Sequence, residues 1–182
     1  MDWATVFAES YPQPGATDAV IARLVVEVFR PLSLSEIRQF NGGQRNPFPP
    51  GDSLYASWRP FDAATWVIPA RPLPPSYLSF LRWSNGGEFR TGSRWFQFFP
   101  ALDVRATLLA YHLPEYMPEA LPIALDGGGV FYLLDMHAPA TDGEYPVVCA
   151  DAGSLGWQRG RWWHLADSFL AVCRSSRIAD DP

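Results

Sequence analysis

Apolar residues recur at helical spacing near the start of the chain. Val20, Leu24 and Val28 form one row and Ile21, Val25 and Phe29 the adjacent one. Such a wide stripe predicts an amphipathic helix, capped by Thr17 or Asp18 and stopped by Pro31. Ser33-Leu34-Ser35-Glu36 is a capping-box pattern that opens a short second helix, closed by Asn41-Gly42-Gly43. Further on, Pro74-Pro75-Ser76 begins a helix that carries Tyr77, Phe80, Leu81 and Ser84 along one face. Asn85-Gly86-Gly87 ends it, since a left-handed C-terminal cap prefers Gly or Asn. Trp95–Phe99 is a strand pattern and Leu102–Tyr111 a helix. Leu121–Leu125 and Val130–Asp135 flank Asp126-Gly127-Gly128-Gly129, which predicts two strands joined by a glycine turn. Tyr145–Ala150 and Trp162–His164 follow as strands, and Asp167–Ser175 as a last helix. Helices at the ends with strands through the middle point to α+β rather than a βαβ repeat.

Two stretches lack this grammar. Residues 1–16 contain Pro12, Pro14 and Gly15 and read as an extended lead-in. Residues 42–75 hold eight of the eighteen prolines, with β-like runs at Leu54–Arg59 and Thr65–Ile68. Phe48, Tyr55, Trp58, Phe61 and Trp66 interrupt those prolines, too many aromatics for a flexible linker. The segment is expected to be an ordered connection within one domain spanning 1–182.

Composition narrows the function classes. The chain is 48% hydrophobic and only 18% charged, which excludes intrinsic disorder for most of it. A net charge of −5 argues against nucleic acid as a partner, because phosphate neutralisation needs a clustered basic surface. All the basic residues are Arg, and they are scattered. The first residues lack the basic and apolar regions of a signal peptide, and Arg23 and Glu27 break the best apolar run. A cytoplasmic protein without a membrane span is expected. Cys149 and Cys173 form no metal spacing; Cys173, among Phe169, Leu170 and Val172, reads as core.

Candidate chemistry is sparse. His112, His137 and His164 are far apart and form no ligand motif, so neither a metal nor another cofactor is expected. Asp126-Gly127-Gly128-Gly129 offers a glycine loop, but a phosphate loop of the Walker type needs a Lys, and the chain has none. A tight turn between strands is the simpler reading. Asp126 and Asp135 are better explained by capping and turns than as a catalytic pair, and Ser154 lacks the nucleophile-elbow pattern. No catalytic residue is assigned. The eight Trp are the strongest remaining clue. Trp162 and Trp163 are adjacent in a strand and face opposite sides, which leaves Trp157, Arg159, Arg161 and Trp162 as a candidate interface patch.

Four of these segments, in order, resemble the SUKH superfamily of the Smi/Knr type. They are Leu73-Pro74-Pro75-Ser76-Tyr77 with Asn85-Gly86-Gly87; Leu121-Pro122-Ile123 leading into Asp126-Gly127-Gly128-Gly129; Leu133-Leu134-Asp135; and Leu165-Ala166-Asp167-Ser168-Phe169. The resemblance covers about 73–175, with 17–72 as an N-terminal elaboration. It departs from the family pattern in that the first strong helix ends at Arg30, far upstream of Leu73. It implies an α+β domain with one mixed or mainly antiparallel sheet and helices packed around it. It also implies a non-catalytic, protein-binding role. Bacterial members of the family are immunity proteins that neutralise a cognate toxin, and yeast members regulate cell-wall synthesis. The leading expectation is therefore an immunity protein whose partner is a toxin domain. Glu115, Glu119, Asp126 and Asp135 are the carboxylates expected to meet a basic partner. The alternatives are a housekeeping scaffold of the same fold and a small hydrolase or nucleotide-binding enzyme.

Overall fold

The computed structural model describes residues 1–68 and 70–175. Seven strands form one sheet in chain order: β1 (Glu9–Pro12), β2 (Gly87–Thr91), β3 (Arg94–Phe98), β4 (Ala120–Leu125), β5 (Val130–Asp135), β6 (Val147–Asp151) and β7 (Trp162–Ala166). Every neighbouring pair is antiparallel. The sheet is thus wholly antiparallel, the second of the two arrangements expected. Among the described residues, no helix is long and apolar enough to cross a membrane.

The helices form where their caps demand. Thr17 accepts from the Val20 amide and opens α1 (Asp18–Val28). Ser33 and Glu36 complete a reciprocal capping box on α2 (Leu34–Gly42). Pro75 begins α3 (Pro75–Trp83) in the first turn, where a missing N–H costs nothing. Two short helices, α4 (Val104–Ala110) and α5 (Leu113–Tyr116), bridge β3 to β4. Ser168 caps α6 (Phe169–Arg174) by accepting from Ala171.

The central strands are buried on both faces. In β5, Tyr132 and Leu134 join a core with Ile21, Leu24, Tyr77, Phe80 and Phe169 from α1, α3 and α6. Phe131 and Leu133 point the other way, into a second core with Leu108, Leu113, Met117 and Leu155. That two-sided burial explains why β4 and β5 read as near-continuous apolar runs rather than alternating ones. At the other end, β2 and β3 bury Phe89, Phe96 and Phe98 on one side only, leaving Glu88 and Arg90 exposed.

Several expectations are corrected. The N-terminal lead-in is part of the fold: β1 pairs with β2, and Trp3 and Phe7 are buried in the main core. Pro12 misled the sequence reading, yet an edge strand tolerates proline because one side of its backbone needs no partner. The β-like run Leu54–Arg59 is a series of turns, in which Tyr55 bonds back to Asp52 and Trp58 to Leu54. The run Thr65–Ile68 follows a 3-10 turn at Ala63–Thr65 and joins no sheet. Flanking prolines remove the donors a strand would need. The reading of Cys173 as core holds: both cysteines are buried and form no disulfide, and burial pushes the Cys173 thiol pKa up.

The Asn85-Gly86-Gly87 motif works differently from a left-handed helix cap. Helix α3 closes through Ser84 in extended backbone, and Asn85 Oδ1 accepts from the Ala101 amide. The glycines serve a close approach: Gly87 has φ +114°, and a Cβ there would lie 2.6 Å from the Tyr11 carbonyl oxygen. Gly87→Ala is expected to cost about 2 kcal/mol, from positive-φ strain and the displaced β1 backbone. Urea unfolding checks this. A midpoint unchanged from wild type would mean that β1 does not dock as described.

Candidate functional site

The Asp126 loop is occupied by its own turn. Asp126 Oδ1 accepts from the Gly128 amide at 2.7 Å and the Val130 amide at 2.9 Å, and the Asp126 amide donates to the Val130 carbonyl at 3.0 Å. Gly127 and Gly129 take positive φ. The amides that a phosphate would use therefore already point at the Asp126 carboxylate. Two further family-motif residues pack in the core. Leu73 and Tyr77 are buried, and the Tyr77 ring meets Phe169 edge-on at 5.2 Å. Burial pushes the Tyr77 hydroxyl pKa up, so it stays protonated.

Part of the predicted interface converges on one rim, where β5 ends and β6 begins near Glu119. Asp135 Oδ1 meets His137 Nδ1 at 2.8 Å and also accepts the His137 amide. The His137 ring stands against Trp157 at 4.4 Å, and Trp157 packs edge-on to Trp162 at 5.4 Å. Both indoles are anchored: Trp157 donates to the Pro118 carbonyl and Trp162 to the Trp157 carbonyl. Arg71 closes the cluster by donating to the His137 carbonyl and pairing with Glu119 at 3.6 Å. Trp162 and Trp163 do face opposite sides, one toward each core, and both stay half-buried. Arg159 and Arg161 are exposed beside them on the loop before β7.

The four carboxylates do not form one patch. Glu119 and Asp135 share the rim. Asp126 sits at the opposite end of the β4–β5 hairpin, roughly 17 Å away along the strand. Glu115 lies on α5, where its Oε2 accepts from the Trp66 indole at 2.9 Å. Tertiary contact selected two of the four because strand register, not sequence proximity, decides which ends meet.

Two features escaped the sequence reading. The first is an arginine that closes α1. Arg105 is 8% exposed, and its Nη1 donates to the carbonyls of Glu27 and Arg30 at 3.1 and 2.6 Å. Its Nη2 reaches Glu36 at 3.3 Å, and Arg30 holds the same carboxylate at 3.1 Å. Burial alone would raise the Glu36 pKa, but hydrogen bonds from Ser33, Arg30 and Arg105 overcome it and hold the carboxyl at about 2. The signal was available: Arg105 stands among Val104, Leu108 and Leu109 in an apolar helix. The second is an aromatic cluster around His112, which has φ +50°. Phe61, Phe40 and Trp66 lie 5.0, 5.6 and 5.6 Å from its ring. Burial among them pulls the imidazole pKa down.

Among the described residues, no group of three or more His, Cys, Asp or Glu is placed to hold a metal ion. The fold defines an α+β protein built on a seven-stranded antiparallel meander, with helices over both faces of its centre. Glu119, Asp135, Trp157 and Trp162 gather at a partly exposed rim, whereas Glu115 and Asp126 lie elsewhere. A family model, the SMI1 / KNR4 family (SUKH-1), matches residues 70–172, and the chain belongs to that family. A comparison with curated proteins finds no match. The matched stretch runs from just before α3 into α6, so α1, α2 and the proline-rich segment up to residue 69 lie outside it.

Proposed function

We propose that this chain is a non-catalytic protein-binding module of the immunity type, which neutralises a cognate toxin in the cytoplasm by covering its active site or substrate groove. The observation that carries this is the rim. Trp157 and Trp162, half-exposed and held by hydrogen bonds, stand beside the Asp135–His137 pair and the exposed Arg159 and Arg161. Anchored aromatics with flanking arginines are the residue types that dominate binding energy at protein interfaces. Family membership supports a partner-binding role, and the self-satisfied Asp126 turn supports one without catalysis. No cofactor enters this mechanism. Nucleic acid and membrane are not its targets.

The test is genetic and then biochemical. The C-terminal domain encoded by the adjacent upstream gene is expressed with and without this chain, and surviving cells are counted. Killing that this chain relieves is expected, with relief lost in Trp157→Ala. Killing without relief, or no killing, would favour a scaffold role for the same fold. If Trp157→Ala rescues like wild type, the rim is not the binding surface.

A further inference from the structure

The proline-rich segment outside the family match builds a cleft of its own. Gln44 and Phe61 clamp its two ends together: Gln44 Nε2 donates to the Phe61 carbonyl, and the Phe61 amide donates to Gln44 Oε1, both at 2.8 Å. Between them, Asn46 Nδ2 donates to the Tyr55 carbonyl at 3.0 Å. The clamped loop faces α5 across a cleft of about 560 Å³, lined by Arg45, Trp58, Arg59, Phe61, His112 and Tyr116 among others. Its floor is rigid. Phe61 and His112 are packed ring to ring, and Trp66 supports Phe61 from behind at 5.2 Å.

The charge of this cleft opposes that of the chain. Among the described residues, Arg45 makes no hydrogen bond or ion pair. Arg59 makes no ion pair, and its Nη1 is held by the Ala56 and Trp58 carbonyls at 2.8 and 2.7 Å. Both side chains belong to exposed residues. The one carboxylate on the lining, Glu115, already accepts from Trp66. Two arginines with unused donors thus face an aromatic wall in a protein of net charge −5.

We infer that this cleft is a docking groove for an acidic, extended segment of a partner protein. Carboxylates of that segment take the guanidinium donors of Arg45 and Arg59, which suit planar acceptors. Its apolar side chains lie on Trp58, Phe61 and Tyr116. The hydrogen-bonded clamp keeps the groove open before binding, which lowers the ordering cost of association. The inference deepens the protein-binding reading and does not require the partner to be a toxin.

The test uses a short fluorescein-labelled peptide of Glu and Asp with one Tyr and one Pro, followed by anisotropy on the full chain. Its Gln/Asn counterpart, an Arg counterpart and a labelled oligothymidine run alongside. The acidic peptide is expected to bind and its counterparts not. Arg45→Glu with Arg59→Glu should weaken binding by about tenfold or more, with added salt weakening the wild type. Tyr116→Ala should weaken binding while leaving the salt dependence in place. Thermal melts confirm that each variant folds, and Arg45→Gln alone is the milder variant if the double reversal does not. The inference is overturned by any of four results: no binding of the acidic peptide, equal binding of the neutral or basic one, binding of oligothymidine instead, or self-association of the chain that the same reversal abolishes. Rescue of killing by a wild-type chain that binds no acidic peptide would remove the groove and leave immunity standing. Peptide binding without any rescue would do the reverse.

Discussion

Phe80→Ala is expected to cost about 3–5 kcal/mol of folding stability. Phe80 is fully buried, and its ring lies 5.4 Å from Trp3, 4.5 Å from Phe98, 5.4 Å from Phe89 and 5.5 Å from Phe169. Those four rings come from the N-terminal segment, β3, β2 and α6, so one side chain ties α3 to four separate parts of the main core. Truncation loses the transfer free energy of the ring and leaves a cavity that so many constrained neighbours cannot collapse to fill. For a chain of this size the melting temperature should fall by roughly 6–20 °C. Phe80→Leu keeps much of the volume and should cost less than about 2 kcal/mol. Urea midpoints of the two variants measure the difference. A loss under about 1 kcal/mol for Phe80→Ala would show that this site is not packed as described.

Arg105→Ala should be comparably damaging, at about 3–5 kcal/mol, for a polar reason. It strips the C-terminal carbonyls of α1 of their donor and leaves Glu36 with Arg30 as its one remaining guanidinium partner. Arg105→Lys should recover only part of the loss, because an ammonium cannot span three carbonyls and a carboxylate as a planar fork does. The effect carries a pH signature. The Glu36 pKa is lowered by folding, from 4.5 to about 2, so its contribution is present above the ordinary value and lost as pH falls through the lower one. The stability gap between wild type and Arg105→Ala should therefore narrow as pH drops from 4.5 toward 2. Ser33 and Arg30 still hold Glu36 in the variant and Arg105 is the smallest of the contacts that lower its pKa, so with the Glu36 side chain 23% exposed this share is limited to about 0.5–1 kcal/mol. Denaturant titrations across that range are the check; a gap that does not change with pH would mean the pairing with Glu36 contributes nothing.

Local chemistry was legible at most sites where it completes itself within a few residues, the Asn85-Gly86-Gly87 motif being an exception. Thr17, the Ser33–Glu36 box, Pro75 and the Asp126 turn all act where the sequence places them, because each satisfies backbone groups no more than four positions away. The order of motifs from Leu73 to Phe169 carried the family, which the match over 70–172 bears out. The residues of the proposed binding rim were only half legible. Trp157 and Trp162 stood out by type, whereas His137 and Arg71, which complete the rim, look ordinary in a linear chain.

What the sequence alone determined about this protein is the place of α1, α2 and α3, its glycine turn and its α+β class, set by short-range hydrogen bonding and hydrophobic periodicity, and its family, carried by the resemblance of four ordered motifs. The tertiary structure decided the rest. It turned residues 9–12 into an edge strand, gave Arg105 the end of α1 and separated Asp126 from Asp135 by the length of a hairpin. It also folded the proline-rich segment into a cleft against α5. The physical reason is common to all four: each depends on partners many residues apart, whose meeting is fixed by the register of the sheet and the packing of its two cores.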